Sequence, residues 1–164
     1  MEKDGAEAQN ILNDIRRIVR VLRESSRAAE SQVGLSGAQL FVLQRLGQTD
    51  TLSVSALAEQ TLTHQSTVSV VVKRLAGLGL VNRIRSQADG RCVEVSLTPK
   101  GKALLKKAPE AAQERLIEGV IKLKPEDRNR LAASLRQLVE SMGIQDRPVE
   151  MFFEDSAVSE RTRA

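Results

Sequence analysis

The side chains best suited to chemistry lie in the middle of the chain, on a polar helical pattern and the basic pattern that follows it. A serine- and threonine-rich helical pattern over 65–75 is followed, after Gly79, by a basic two-stranded pattern with Asp89-Gly90-Arg91 at its turn. Small polar side chains and then cations on one helix face can bond base edges and phosphates without holding the helix away from the major groove. An arginine on an adjoining hairpin can reach the minor groove. The segment therefore predicts a winged helix-turn-helix that binds double-stranded DNA.

Helical periodicity divides this segment into two faces. At 3.6 residues per turn, one face carries four aliphatic residues that belong in a core: Val68, Val71, Val72 and Leu75. The opposite face and the helix entry are polar or cationic. We expect DNA contacts from these residues of the helix and the wing: His64, Gln65, Ser66, Thr67, Ser69, Val70, Lys73, Arg74, Arg83 and Arg91. Lys73 and Arg74 come later in the helix and are assigned to phosphates, whereas the serines are assigned to base edges.

Some of these residues have competing interpretations. A single serine or threonine on a helix is usually only a solvated hydroxyl, but several within one turn favour contact with DNA. Val70 is either a partner for a thymine methyl group or an incidental surface valine. His64 is the only histidine, and no cysteine or carboxylate pair at ligand spacing accompanies it. A capping or phosphate-contacting histidine is therefore favoured, and neither a metal nor another cofactor is expected.

Composition argues against other classes of protein. The 164-residue chain carries a net charge of +4, and no apolar run approaches the ~20 residues needed to span a bilayer. The excess charge lies near the proposed helix, since residues 70–91 contain five cations and only one acidic residue, Asp89.

The remaining residue types argue against redox sensing, catalysis and single-strand binding. The single cysteine, Cys92, favours a reducing cytoplasm, and a lone thiol without a resolving partner argues against redox sensing. The chain has no glycine-rich phosphate loop and no nucleophile–base constellation, so we do not expect an enzyme. The scarcity of aromatic residues argues against binding of single strands.

Mostly helical elements must position these side chains. An amphipathic helix is predicted from about Ala6 to Ser31, with the stripe Ile11, Ile15, Ile18 and Leu22. Further helices are predicted after the N-cap residues Ser36 and Ser53, and the polar helix should begin near Thr63 or His64 and end at Gly79. The alternation over 81–97 predicts a hairpin. Beyond it we expect a helix from Thr98 to about Leu123, kinked at Pro109, and a last helix from Pro125 to Gly143.

From about Ile11 to Met142 the sequence resembles the MarR family of bacterial transcription regulators. The motifs that carry the resemblance are Leu57-Ala58-Glu59, Ser66-Thr67-Val68-Ser69, Leu75 with Gly79-Leu80-Val81, Arg83…Asp89-Gly90-Arg91, and Leu97-Thr98…Gly101. The resemblance implies a homodimer, formed by the terminal helices, that binds a pseudo-palindromic operator, usually as a repressor released by a small ligand. Two positions depart from the family pattern: Leu62 stands where a turn glycine is common, and Val70 where many members carry arginine.

The resemblance also assigns roles in the wing. It makes Arg91 the wing-tip arginine, which enters the minor groove where its potential is most negative. Asp89 would accept hydrogen bonds from an arginine or from turn amides and so support the wing tip, while also forming an ordinary Asp-Gly turn. A carboxylate this close to phosphates would otherwise be repelled, which favours the supporting role.

We therefore expect a mainly α protein with a small β-wing. Residues 1–35 should form a dimerisation helix, 36–98 the winged helix-turn-helix, 99–143 two further dimerisation helices, and 144–164 a disordered tail whose patch 149–153 could dock. The apolar stripes at both chain ends should be buried against a second subunit. The predicted function is that of a dimeric transcription regulator that binds double-stranded DNA, with an effector of unknown identity. The alternative is a helical protein-interaction module that keeps a winged helix as a scaffold.

Overall fold

The computed structural model describes residues 2–86 and 92–154, with side chains from residue 5 onward. In chain order the elements are α1 (Glu2–Val33), α2 (Gly37–Gly47), β1 (Leu52–Ser53), α3 (Val54–Gln60), α4 (Gln65–Gly77), β2 (Val81–Arg85), β3 (Val93–Leu97), α5 (Pro99–Leu105), α6 (Ala112–Lys122) and α7 (Pro125–Ser141). The sequence-based prediction of a mainly helical protein with a small β-wing is confirmed. No helix in these ranges combines the length and the apolar composition that a bilayer-spanning segment needs.

The strands form one antiparallel sheet in the order β1-β3-β2. Strand β2 pairs along its whole length with β3, so that Val81 lies opposite Leu97 and Arg85 opposite Val93. The two-residue strand β1, which was not predicted, pairs with β3 through Leu52 and Val95. This third strand joins the start of α3 to the hairpin, and it fixes the hairpin beside the helix-turn-helix.

Local capping signals define most helix ends. Ser36 closes a capping box before α2: its hydroxyl accepts from the Gln39 amide, and the Gln39 side chain accepts from the Ser36 amide. Ser53 caps α3 through the Ala56 amide, as predicted. Gly79 and Gly143 follow α4 and α7 with φ values of +71° and +66°, the left-handed conformation that glycine adopts at lowest cost.

The core of the winged helix is aliphatic and lies between α2, α3, α4 and the sheet. The four residues assigned to the inner face of α4, Val68, Val71, Val72 and Leu75, are all 0% exposed. Helix α2 contributes Leu40, Phe41 and Leu43, and β3 contributes Val95. Removing such side chains from water is the main stabilisation of a domain of this size. The predicted core face of α4 is therefore confirmed.

The structure corrects the predicted helix between Thr98 and Leu123. A kinked helix was expected, but the chain forms two helices, α5 and α6, separated by residues 106–111. The linker is held from outside: the Gln44 side chain donates to the carbonyl oxygen of Pro109 (2.7 Å) and accepts from the Ala111 amide (3.1 Å). Because Gln44 replaces the missing helical hydrogen bonds around Pro109, the chain can leave the helix completely instead of bending.

The chain ends differ from the prediction in two respects. Leu22 was assigned to an unpartnered stripe of the first helix, but it is only 5% exposed. The disordered tail was expected to begin at residue 144, but residues 148–154 lie against α4 and bury Met151 and Glu154. The docking of the patch 149–153, left open from the sequence, is thus what the structure shows.

Candidate nucleic-acid interface

Helix α4 presents its polar side to solvent. The outward-facing residues of α4 form the recognition face: Ser66, Thr67, Ser69, Val70, Lys73 and Arg74. Ser66 and Lys73 are exposed, Val70 is 44% exposed, and Thr67, Ser69 and Arg74 are half-buried. The sequence-based division of α4 into an inner and an outer face is therefore what the structure shows. A helix with hydroxyls in its first two turns and cations in its third has the width and the chemistry that a major groove accepts.

The entry to α4 is a turn with an unusual backbone. Leu62 has a φ of +51°, a left-handed conformation that disfavours any residue with a Cβ. In the MarR family, which the sequence resembles, a glycine is common at this position. The Leu62 side chain is 66% exposed. The turn is held by Thr61, whose hydroxyl donates to the Leu57 carbonyl oxygen at 2.7 Å. His64 occupies the N-cap position but makes no capping hydrogen bond, so its exposed imidazole is free to face a phosphate.

The exit from α4 is tied to the end of the wing. Thr98 donates from its hydroxyl to the Gly79 carbonyl oxygen at 2.7 Å and accepts from the Gly101 amide at 3.0 Å. Lys100 donates from Nζ to the carbonyl oxygen of Leu78 at 2.8 Å, which places a cation at the C-terminus of α4. From the sequence, Thr98 was expected only to begin a helix, and Lys100 was given no role. The Thr-Pro-Lys-Gly spacing was the signal for both roles.

The wing carries its cations on β2. Arg83 and Arg85 are exposed, and Arg83 lies opposite Val95 of β3. The Ser86 amide donates to the Cys92 carbonyl oxygen, which extends the hairpin by one more hydrogen bond. The predicted wing-tip residues, Asp89 and Arg91, lie outside the described residues. Cys92 is exposed at the far end of the described hairpin, just before β3 begins.

Polar bridges connect the winged helix to the helices at the chain ends. Arg45 on α2 forms an ion pair with Glu114 on α6 at 2.5 Å, and its guanidinium lies 5.3 Å from the centre of the Phe41 ring. The Ser25 hydroxyl on α1 accepts from the Ala112 amide at 3.0 Å. Together with Gln44, these residues hold the start of α6 between α1 and α2. Polar contacts thus join α6 both to α1 and to the winged helix.

One flank of the recognition face is in contact with the chain's own C-terminal segment. Thr67 donates from Oγ1 to the carbonyl oxygen of Val149 at 3.3 Å, and Arg74 forms an ion pair with Glu154 at 3.4 Å. An open cavity of about 420 Å³ between the segment and α4 is also lined by His64, Ser66 and Val70. The structure thus brings the predicted helix residues onto one surface, and it adds a contact that the sequence did not reveal.

The sequence of the chain was compared with known protein families and with individual proteins. The MarR family model matches residues 35–93, which span α2 to the start of β3. An uncharacterised helix-turn-helix type transcriptional regulator of Mycobacterium leprae is 32% identical over 129 residues, which cover 79% of this chain and 87% of that one. The chain belongs to the MarR family.

Two further comparisons extend this result. A transcriptional repressor of Mycobacterium tuberculosis is 34% identical over 92 residues, covering 56% of this chain and 66% of that protein. Sco3205, a MarR family transcriptional regulator from Streptomyces coelicolor crystallised in complex with DNA, superposes with a TM-score of 0.58 at 23% identity, covering 84% of this chain and 92% of that one. The second likeness shows the fold. As a member of the MarR family, the protein is a DNA-binding transcriptional regulator.

Proposed function

We propose that the protein is a cytoplasmic homodimeric repressor that binds a pseudo-palindromic operator through the recognition face of α4. The observation that carries this proposal is the division of α4: four aliphatic residues are fully buried, while hydroxyls and cations face outward. His64, Gln65, Ser66, Ser69 and Lys73 would meet the major groove. On this proposal the wing adds Arg83 and, by family resemblance, Arg91 with Asp89 as its support. A repressor among the relatives supports the direction of regulation.

Apolar surface on the terminal helices supports a dimer. Helix α7 buries no residue in the chain, and Leu131, Leu135 and Leu138 on it are 41%, 48% and 39% exposed. On α1, Ile11 and Ile18 are 57% and 45% exposed. Apolar stripes of this length on a soluble protein mark an association surface. A two-fold dimer would present two copies of α4 to successive major grooves about one helical turn, ~34 Å, apart.

The bridges from α6 to α2 give a physical basis for release by an effector. On this proposal, a small molecule that binds between the terminal helices and the winged helix would change the spacing of the two α4 helices, since Gln44 and Arg45 of α2 are bonded to Pro109 and to Glu114 of α6. A ligand shifts this equilibrium only by its difference in affinity for the two arrangements. Aromatic acids are the ligand class to test first, by family resemblance.

A mobility-shift titration with the DNA upstream of the protein's own gene tests the proposal. We expect a complex of two chains per site that resists competition by random DNA of equal length, and an aromatic acid should release it. Equal affinity for the upstream and random DNA would overturn sequence-specific regulation. Loss of all DNA binding would favour a protein-interaction module instead.

A further inference from the structure

Residues 148–154, called the cover segment here, lie along one flank of α4. Two backbone carbonyl oxygens of the segment accept hydrogen bonds from α4: Val149 from Thr67 Oγ1 at 3.3 Å, and Glu154 from Arg74 Nη1 at 3.2 Å. Thr67 and Arg74 are seven residues apart, so they lie two turns apart on the same side of the helix. The segment therefore follows the helix axis over the part of α4 that carries the hydroxyls and the first cations.

The cover segment is anchored in the protein at its centre. Met151 is only 7% exposed and belongs to the hydrophobic core. Next to it, Gln113 on α6 donates from Nε2 to the carbonyl oxygen of Phe152 at 3.1 Å. The segment then turns sharply, since Phe153 has a φ of +59° and the Glu154 amide donates to the Met151 carbonyl oxygen. The turn brings the Glu154 side chain back toward α4.

Glu154 gives Arg74 the kind of partner that DNA would give it. Its carboxylate is 8% exposed and lies 3.4 Å from Arg74 Nη1. A carboxylate and a phosphate offer a guanidinium the same anionic oxygen acceptors. Arg74 must give up this ion pair before its guanidinium can turn to a DNA phosphate, and the pair holds the end of the segment against α4. Glu154 and a DNA phosphate therefore compete for one side chain.

The segment blocks one flank of the recognition face and leaves the other open. It contacts the side that carries Thr67 and Arg74, with Val70 between them lining the cavity. Lys73 and Ser69 point to the other side by helical periodicity. A duplex could make a first contact with the open flank, but it could not seat α4 in the major groove while the segment fills the space beside it.

We propose that the cover segment is a built-in competitor of DNA, which must leave α4 before the operator can be bound. This inference rests on the proposed function of α4. The apparent affinity for DNA is then the intrinsic affinity multiplied by the fraction of molecules in which the segment has left. Weakening the segment's attachment should therefore tighten DNA binding, although no DNA-contacting residue is changed.

Three full-length variants test the proposal by operator titration at fixed salt. Glu154→Gln removes the ion pair with Arg74, and Met151→Ala weakens the anchor without changing charge. Glu150→Gln is the matched control, because it removes the same charge from the same segment at an exposed side chain. We expect Glu154→Gln and Met151→Ala each to tighten binding about fivefold, and Glu150→Gln to change it less than twofold. Equal gains for Glu154→Gln and Glu150→Gln, with none for Met151→Ala, would show only a general charge effect and would overturn the proposal.

Hydrogen exchange provides a second measurement that does not depend on affinity. Peptides covering residues 148–154 should be protected in the free protein, exchange faster in Met151→Ala, and lose protection when operator DNA is added. Protection that is unchanged or increased by DNA would overturn the proposal. If the parent protein binds no DNA at all, the proposed function fails; if it binds but the variants and exchange do not change, only the cover segment's role fails.

Discussion

The hydroxyl of Thr98 donates a 2.7 Å hydrogen bond to the carbonyl oxygen of Gly79, which joins the end of the wing to the end of α4. Gly79 has a φ of +71°, and the Thr98 amide also donates to the carbonyl oxygen of the next residue, Leu80. Strand β3 and helix α4 are thus held at one point by side-chain and backbone bonds. The position of the wing relative to the recognition face is set there.

Gly101 should tolerate no side chain, because it packs against this junction. A Cβ at Gly101 would lie 2.1 Å from the carbonyl oxygen of Leu80, and a backbone atom cannot move aside as a flexible side chain could. We expect Gly101→Ala to lower the free energy of unfolding by about 2 kcal/mol. Gly77→Ala is the matched control: a Cβ there meets nothing within 4 Å, and Gly77 is helical. It should leave stability unchanged or raise it by up to about 1 kcal/mol. Chemical denaturation measures both variants. If Gly77→Ala were less stable than Gly101→Ala, the result would contradict this packing.

Leu62→Gly should stabilise the protein. Leu62 holds a left-handed backbone at φ +51° with a side chain that is 66% exposed, so glycine would relieve strain and lose little buried surface. We expect a gain of about 1 kcal/mol in the free energy of unfolding. Leu78 is 45% exposed at the other end of α4 but has a φ of −81°. Leu78→Gly should therefore destabilise by roughly 0.5–1 kcal/mol. Thermal unfolding of both variants tests this prediction. An equal loss of stability in Leu62→Gly and Leu78→Gly would disprove the strain at Leu62.

Short-range signals explain what could be predicted from the sequence. The capping box at Ser36, the cap at Ser53 and the stop at Gly79 depend on residues within one helical turn, and all three are found in the structure. The inner face of α4 followed from the 3.6-residue period alone. The outward position of the proposed DNA-contacting residues on α4 followed from the same period, and their contact with DNA stays a prediction.

Long-range contacts explain what could not be predicted. The break between α5 and α6 depends on Gln44, which bonds to Pro109 from 65 residues away. The cover segment depends on Arg74 and Glu154, which are 80 residues apart in the chain. Leu22 lies on an apolar stripe that looks uniform in the sequence, yet Leu22 is buried within the chain while Ile11 and Ile18 are exposed. Periodicity shows which residues of a helix are apolar, but not which partner covers them.

The exposed stripe on α7 predicts an obligate dimer. Leu135 is 48% exposed on a helix that buries no residue within the chain. Sedimentation at micromolar concentration should give a species of twice the 18.0 kDa chain mass. Leu135→Asp should shift it to the monomer, because a carboxylate in an apolar interface costs several kcal/mol. Gln137→Asp, at an exposed polar position of the same helix, should leave the dimer intact. A folded parent protein that sediments as a monomer would refute the interface.

The most direct test of the account compares Ser69→Ala and Lys73→Ala on operator and random DNA over a range of salt concentrations. If α4 enters the major groove, Lys73→Ala should weaken binding to both DNAs similarly and lower the salt slope by about one. Ser69→Ala should cost more on the operator than on random DNA, whereas Ser31→Ala, at an exposed serine of α1, should change neither. Equal losses on operator and random DNA for Ser69→Ala, or an unchanged salt slope for Lys73→Ala, would contradict DNA recognition by this face.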